Sequence, residues 1–570
     1  MPLQVDEVKR LFDRARSEMF IEPASVNIDV GEGVLQVKVQ EGSFHIKVPS
    51  RLLYDPEGGP IILWYFRHNL AHLHYCPYNL RTVQTLARAA YDETKSWAHS
   101  HNAVRLFADL QIDLFYLPLK YMNAPLHLVD EFASKPKALD AVRYAAYTHF
   151  YKDFMKKHNI DRDIIFYGSL IAEVVLSPRS WISKVKFIAS ILKRLQFLEL
   201  VKKLNQTAGE GIPLSEDLEA DFSAEARKAM SGLSKEEARE LYRHWLKERL
   251  NLKGAEKELK EVLRQMRARS DEKGVDEKIQ SLTTPRPREE GEEPELPSRL
   301  SKPLAKILGG LDELMWKSLW YRAKAEEFMI TYSGGKRRSG TWAVYAYTDL
   351  WTVEDDLEEL DLEATFEEGP LIPEETTLKG INMPSPSGEV LVEEKAPSVL
   401  IVLDTSRSMV SVIDEATIAA FTAYLSAKRA GGKVSVINFS TRYVSVGWDE
   451  LDLRKELVLA ILQGELTILP LSGISERLKE LESDEKGIVI LVTDCGWQNL
   501  REAVRFLENI ASKGHKVVVF HVEGWRYPRS VETVAQAHGL TLYKVRDPSM
   551  LKHLVLTETI EETPKIPRPT

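Results

Sequence analysis

The spacing of apolar and polar residues changes period several times along the chain, and each change predicts a change of element. Residues 1–20 carry apolar side chains at helical spacing, which predicts a short amphipathic helix. Three alternating runs follow at 25–30, 33–40 and 43–48, separated by Gly31-Glu32-Gly33 and by Glu41-Gly42. Period-two alternation broken by glycine predicts an antiparallel meander. From Gly59 to about residue 268 the pattern is helical, and the basic face of 181–204 reads as solvated surface. Helix starts are expected near Ser223 and Ser234, where Ser-Ala-Glu-Ala and Ser-Lys-Glu-Glu have the form of N-terminal caps.

Between 269 and 297 proline, glycine and charge leave little to bury, so a flexible linker is expected there. A further helical segment is predicted over 301–328, followed by a basic turn at 334–338. The run 353–368 then holds nine acidic residues and no basic one. It reads either as solvated surface or as a docking strip for a basic partner. From Pro397 strands are expected at 398–404, 433–440, 487–494 and 516–522. They alternate with helices near 414–430 and 500–513, and a helix-strand-helix closes the unit. Strands that are apolar throughout must be covered on both faces. The C-terminal fold class is therefore α/β, a doubly wound, mainly parallel, Rossmann-like sheet. It is preceded by an α+β N-terminal domain and a helical middle. The expected division is 1–135, 136–268, the linker 269–297, an irregular segment 298–396, the sheet domain 397–557 and a tail 558–570.

Composition narrows the function. A length of 570 residues suits about three domains. Two cysteines, Cys76 and Cys495, make neither a disulfide framework nor a cysteine-based zinc site, and a reducing cytoplasmic compartment is expected. A net charge of −9 argues against general nucleic-acid binding. No run of signal-peptide type and no stretch of membrane-spanning length is present, so no membrane span is expected.

Asp404, Ser406 and Ser408 follow the first C-terminal strand as Asp-Thr-Ser-Arg-Ser. Ligands of open α/β sheets bind beyond the carboxyl ends of strands, and these oxygens suit Mg²⁺ or Mn²⁺. Thr467 and Asp494 fall at comparable positions. The set resembles the metal-ion-dependent adhesion site (MIDAS) of von Willebrand factor type A (VWA) domains. The resemblance assigns Asp404, Ser406 and Ser408 to the D-x-S-x-S loop, Thr467 to the separate threonine and Asp494 to the second aspartate. Glu465-Leu466 replaces the family's Gly-Gly, and Cys495 stands where the family often has glycine. The resemblance implies protein binding through a partner's Asp or Glu carboxylate. No base or nucleophile accompanies the loop, so docking rather than catalysis is expected there.

In the N-terminal half His68 and His72 are four residues apart on a predicted helix, the spacing of the two zinc ligands in H-E-x-x-H peptidases. Asn69 holds the glutamate position, and an amide cannot act as the general base. His74 and Cys76 are further candidate ligands. The histidines read equally as packed core residues. With the C-terminal unit, this segment resembles bacterial and archaeal proteins that join a metallopeptidase-like domain to a VWA domain. That resemblance implies Asp109 as third ligand of a Zn²⁺ site, degenerate as a hydrolase because of Asn69. The whole chain is similar to CoxE-like proteins, which implies a MoxR-type AAA+ ATPase partner acting in protein remodelling or maturation. The chain itself has no G-x-x-x-x-G-K-[ST].

Overall fold

The computed structural model describes residues 3–40, 42–152, 155, 157–197, 212–219, 221–250, 252–270, 311–335, 345–351, 378–382, 398–481, 485–522, 528–545 and 550–551. Helix α1 (Val5–Glu18) leads into strands β1 (Val26–Gly31), β2 (Gln36–Gln40) and β3 (Ser43–Pro49). These do not form the expected meander. Strand β3 lies in the middle, antiparallel to β2 and parallel to β1. Alternation sets which side chains face the core but not which strand takes the centre. The more buried strand, β3, takes it, with Phe44, Ile46 and Val48 inward, while β1 stays half-exposed at the edge. Helix α2 (Gly58–His74) packs with α1 over this sheet, Phe12 meeting Phe44 at 4.9 Å and Phe66 at 5.3 Å between ring centroids.

The helical region runs on through α3 (Leu80–Thr94), α4 (Trp97–Leu110), a π-helical turn (Gln111–Tyr116), α5 (His127–Glu131), α6 (Leu139–Phe150), α7 (Arg162–Leu176) and α8 (Trp181–Phe197). Beyond it lie α9 (Phe222–Ser231), α10 (Lys235–Leu241), α11 (Leu252–Ser270) and α12 (Leu311–Gly335). Ser234 caps α10 in a reciprocal capping box with Glu237, as its sequence suggests, whereas Asp221 rather than Ser223 caps α9. Of the linker expected at 269–297, the first two residues still belong to α11, which runs to Ser270, and 271–297 lie outside the described residues, as does the acidic run at 353–368. Strands β4 (Tyr345–Leu350) and β5 (Leu378–Asn382) pair antiparallel.

The C-terminal sheet contains β6 (Ser398–Asp404), β7 (Val434–Phe439), β8 (Tyr443–Val446), β9 (Gly487–Thr493), β10 (Lys516–Val522) and β11 (Leu540–Val545). Their order is β11-β10-β9-β6-β7-β8, all parallel except β8, a short edge strand that the apolar pattern does not announce. Helices α13 (Ile413–Arg429), α14 (Asp452–Ala460), α15 (Leu471–Lys479), α16 (Leu500–Ser512) and α17 (Pro528–Ala535) accompany it. Alternate residues of β6 enter two different cores. Val399, Ile401 and Leu403 join α13, α14 and the helical region, while Leu400 and Val402 join Ile474 of α15 and Leu507 of α16. The helical region thus shares one core with a face of the sheet. Charged ties reinforce the contact, with Lys235 Nζ 2.6 Å from Asp414 and Arg454 Nε 2.6 Å from Glu258. No described helix is long and apolar enough to cross a membrane.

Candidate functional sites

Connections from β6 turn toward β7 and those from β9 turn toward β10, so the strand order reverses between β6 and β9. A crevice opens at the carboxyl ends of such neighbours. Asp404 is the last residue of β6, and Asp494 directly follows β9. Both are buried. Asp404 Oδ1 accepts the Ser406 N–H at 2.9 Å, and its Oδ2 accepts the Thr493 hydroxyl at 2.7 Å. The Ser406 and Ser408 hydroxyls are 3.1 Å apart. Asp494 Oδ1 accepts the Gly496 N–H at 3.0 Å, but its buried Oδ2 has no hydrogen-bond partner among the described residues. An orphaned carboxylate oxygen is costly, and a cation would satisfy it. Burial first, and the Asp494 charge second, push Asp404 up to about 7.

Thr467 reaches the same edge because its loop is stitched to both neighbours. Gly464 N–H donates to Thr405 O and Arg407 N–H to Glu465 O, each at 2.9 Å. On the other side Gln498 N–H donates to Thr467 O at 2.9 Å. Cys495 has φ +60°, the left-handed region that favours glycine, which gives the cysteine at this position its physical context. Thr493 was not singled out by sequence. It supports Asp404 and also accepts from Cys495 N–H and Trp497 Nε1–H, at 3.0 and 3.1 Å.

The second constellation lies on α2, α4 and the π turn. His68 and His72 project from one face of α2, and Asp109 meets them from α4. His68 Nε2 and His72 Nε2 are 3.2 Å apart, and Asp109 Oδ1 is 3.9 and 3.5 Å from them. Tetrahedral zinc with ligand distances of about 2.05 Å separates its ligand atoms by about 3.3 Å. The triangle therefore fits such an ion with little movement. Each outer atom is also held. His68 Nδ1 lies 2.9 Å from Asp113 Oδ1, His72 Nδ1 lies 2.7 Å from the Cys76 carbonyl, and Arg143 Nη1 donates to Asp109 Oδ2 at 2.7 Å. Outer partners of this kind orient metal-binding histidines. A cavity of about 570 Å³ opens here, lined by Asn69, Glu131, Lys135 and Arg143 among others.

Charge within this cavity is strongly coupled. Burial opposes a charge on His68, but Asp113 and Asp109 outweigh it and lift the imidazole to about 9. Burial holds His72 low. Burial would raise Asp109 and Asp113, yet Arg143 beside the first and His68 beside the second hold both below the usual carboxylate range. His74 bonds to the Tyr116 hydroxyl at 2.7 Å, and Cys76 contributes its carbonyl rather than its sulfur. Neither His74 nor the Cys76 thiol joins the metal-compatible clusters of the described residues. Asn69 donates its amide to Tyr65 O at 2.9 Å. Sequence reasoning did not single out His127, Glu131, Arg143 or Tyr147. Their only local signal is the four-residue spacing of His127/Glu131 and Tyr147/Tyr151, a pattern that ordinary core helices share.

No protein-family model matches the chain, and no curated protein matches it. Among solved structures it is similar to a von Willebrand factor type A from Catenulispora acidiphila, at 16% identity and a TM-score of 0.24. That match covers 30% of this chain and 43% of the other, so the chain spans less than half of that protein's length.

Proposed function

We propose that the C-terminal sheet is a VWA-like unit that holds Mg²⁺ or Mn²⁺ at its loop edge and uses it to bind a partner protein. The observation that carries this reading is the buried Asp404–Asp494 pair at the switch point, with Asp494 Oδ2 without a hydrogen-bond partner among the described residues. Asp404, Ser406 and Ser408 would hold the ion, with Thr467 and Asp494 behind it. The ion would supply an open position for an Asp or Glu carboxylate of the partner. That partner, by the sequence resemblance, is a MoxR-type AAA+ ATPase or its client in protein remodelling, in the cytoplasm. The test is capture of partners by the full chain with Mg²⁺ or with EDTA. Capture should require Mg²⁺ and vanish in Asp404→Ala; binding unchanged by EDTA sinks the proposal.

A second reading is favoured by one observation, the preformed triangle of His68, His72 and Asp109. It makes the front cavity a Zn²⁺ site, to which a zinc ion would bring Lewis acidity. Asn69, turned back to its own helix, supplies no base. Hydrolysis by the glutamate route is therefore lost, and a retained or degenerate metallopeptidase-like centre fits the residues better than an active peptidase.

A further inference from the structure

We infer that Asp113 is a positioning residue of the front cavity, the outer carboxylate that turns His68 Nε2 toward a metal ion held with His72 and Asp109. The inference rests on the second reading, that this cavity is a metal site. Asp113 is fully buried, and both of its carboxylate oxygens and its backbone carbonyl are engaged. Its Oδ1 lies 2.9 Å from His68 Nδ1, and its Oδ2 accepts the Tyr147 hydroxyl at 2.7 Å. Its backbone carbonyl accepts the Tyr151 hydroxyl at 2.8 Å. Tyr147 stands in the last turn of α6 and Tyr151 caps that helix, so one helix end secures both the side chain and the carbonyl of one residue.

The backbone gives an independent reason. Asp113 sits in the π-helical turn Gln111–Tyr116 that continues α4, and isolated π turns recur at functional sites because they re-aim side chains. Asp109, before the turn, and Asp113, within it, meet the same imidazole from two sides: Asp109 Oδ1 faces Nε2 at 3.9 Å and Asp113 Oδ1 faces Nδ1 at 2.9 Å. In the neutral ring that a metal ion would bind, Nδ1–H donating to this carboxylate leaves the lone pair on Nε2, which faces His72 Nε2 and Asp109.

A competing arrangement uses His68, Asp113 and His127 as a second ion position, since their donor atoms also lie within 4.8 Å of one another. Both ring nitrogens of the buried His127 lack a hydrogen-bond partner among the described residues, and Nε2 is 3.5 Å from Asp113 Oδ2. Two distances oppose that arrangement. His68 Nδ1 and Asp113 Oδ1 lie 2.9 Å apart in a hydrogen bond that an ion bound between them would have to break. Asp113 Oδ2 is already occupied by Tyr147.

The experiment is a Co²⁺ titration of the chelator-treated full chain in excess Mg²⁺, which keeps the oxygen site at the sheet edge filled, read by the intense visible d–d bands of a four-coordinate ion. Wild type should bind one equivalent, and His68→Ala/His72→Ala should bind none. Asp113→Asn, the same size but uncharged, should weaken affinity by about 10- to 100-fold and shift the bands. Tyr147→Phe, which leaves the carboxylate in place, should lose a few-fold. In the Zn²⁺-loaded wild type, long-range ¹H–¹⁵N spectra should find His68 protonated at Nδ1, a readout that needs no variant to fold. Wild-type affinity and spectrum in Asp113→Asn, or His68 bound through Nδ1, overturns the inference while the metal site stands. Two equivalents in wild type, falling to one in His127→Ala, establishes the competing arrangement instead. Absence of Co²⁺ binding by wild type removes the metal-site reading itself.

Discussion

In the front cavity Asp109 and Asp113 are surrounded by their own counter-charges and donors: Arg143, His68 and the Tyr147 hydroxyl. At the edge of the C-terminal sheet Asp404 and Asp494 meet, among the described residues, hydroxyls, backbone N–H groups and each other, and Asp494 Oδ2 finds no hydrogen-bond partner among them. Both sites bury carboxylates, but only the first neutralises them from within. The first is a mixed nitrogen and oxygen set with each outer atom anchored, which suits a borderline metal such as zinc. The second is a hard oxygen set with no cationic side chain against it among the described residues, a donor set of the kind Mg²⁺ prefers.

The largest expected effect is a clean crossing of metal dependence. Mg²⁺ at a hundredfold excess over its Kd should stabilise the chain by about 2.7 kcal/mol in thermal unfolding. Asp404→Ala should abolish that gain and leave zinc content after native purification unchanged; His68→Ala/His72→Ala should do the reverse. Loss of both metals in either variant would break the comparison, because the two sites would then be one cooperative structure.

A smaller effect is expected from the packing beneath the front cavity. Gly168 of α7 lies so close to α6 that a Cβ would fall 2.5 Å from Ala145 Cβ and 2.9 Å from Ala146 N. Gly168→Ala must push α6 away, and α6 carries Arg143 and Tyr147 and is capped by Tyr151. Destabilisation of about 1–3 kcal/mol in urea is expected, with weaker zinc retention and unchanged Mg²⁺ protection. Full zinc retention would mean that α6 does not govern the ligand geometry.

The smallest effect concerns the tie between α1 and α2. Glu18 accepts Arg67 Nε and Nη2 at 2.8 and 2.9 Å, and also the Tyr121 hydroxyl at 3.0 Å. Burial would raise its carboxyl, but Arg67 and Arg14 more than offset that and lower it from 4.5 to about 2. A carboxyl held low when folded contributes stability above its unfolded value and loses it as pH falls through its folded one. Glu18→Gln should therefore cost about 1 kcal/mol near neutrality, allowing for solvent screening of a partly exposed pair. The difference from wild type should disappear by about pH 2. A constant difference across that range would assign the effect to packing rather than charge.

Several features were legible in the amino-acid sequence because they are local. The strands β6, β7, β9 and β10 are runs of apolar residues bounded by polar turns, and the Ser234 cap is set by residues within one helical turn. The positions of Asp404, Ser406, Ser408 and Asp494 follow from strand ends, and His68 and His72 share a helix face by spacing alone. Tertiary structure decided the rest. It put β3 between β1 and β2, because alternation is indifferent to which neighbour a strand chooses. It added the short antiparallel β8, brought Asp109 to the histidine pair, and inserted the π turn that aims Asp113 at His68. It also joined the helical region to one face of the sheet in a shared core. Each of these joins residues separated by a turn or by whole elements along the chain. Period and spacing report which face a residue takes on its own element; the partner across the gap is chosen by packing, and packing belongs to the assembled fold.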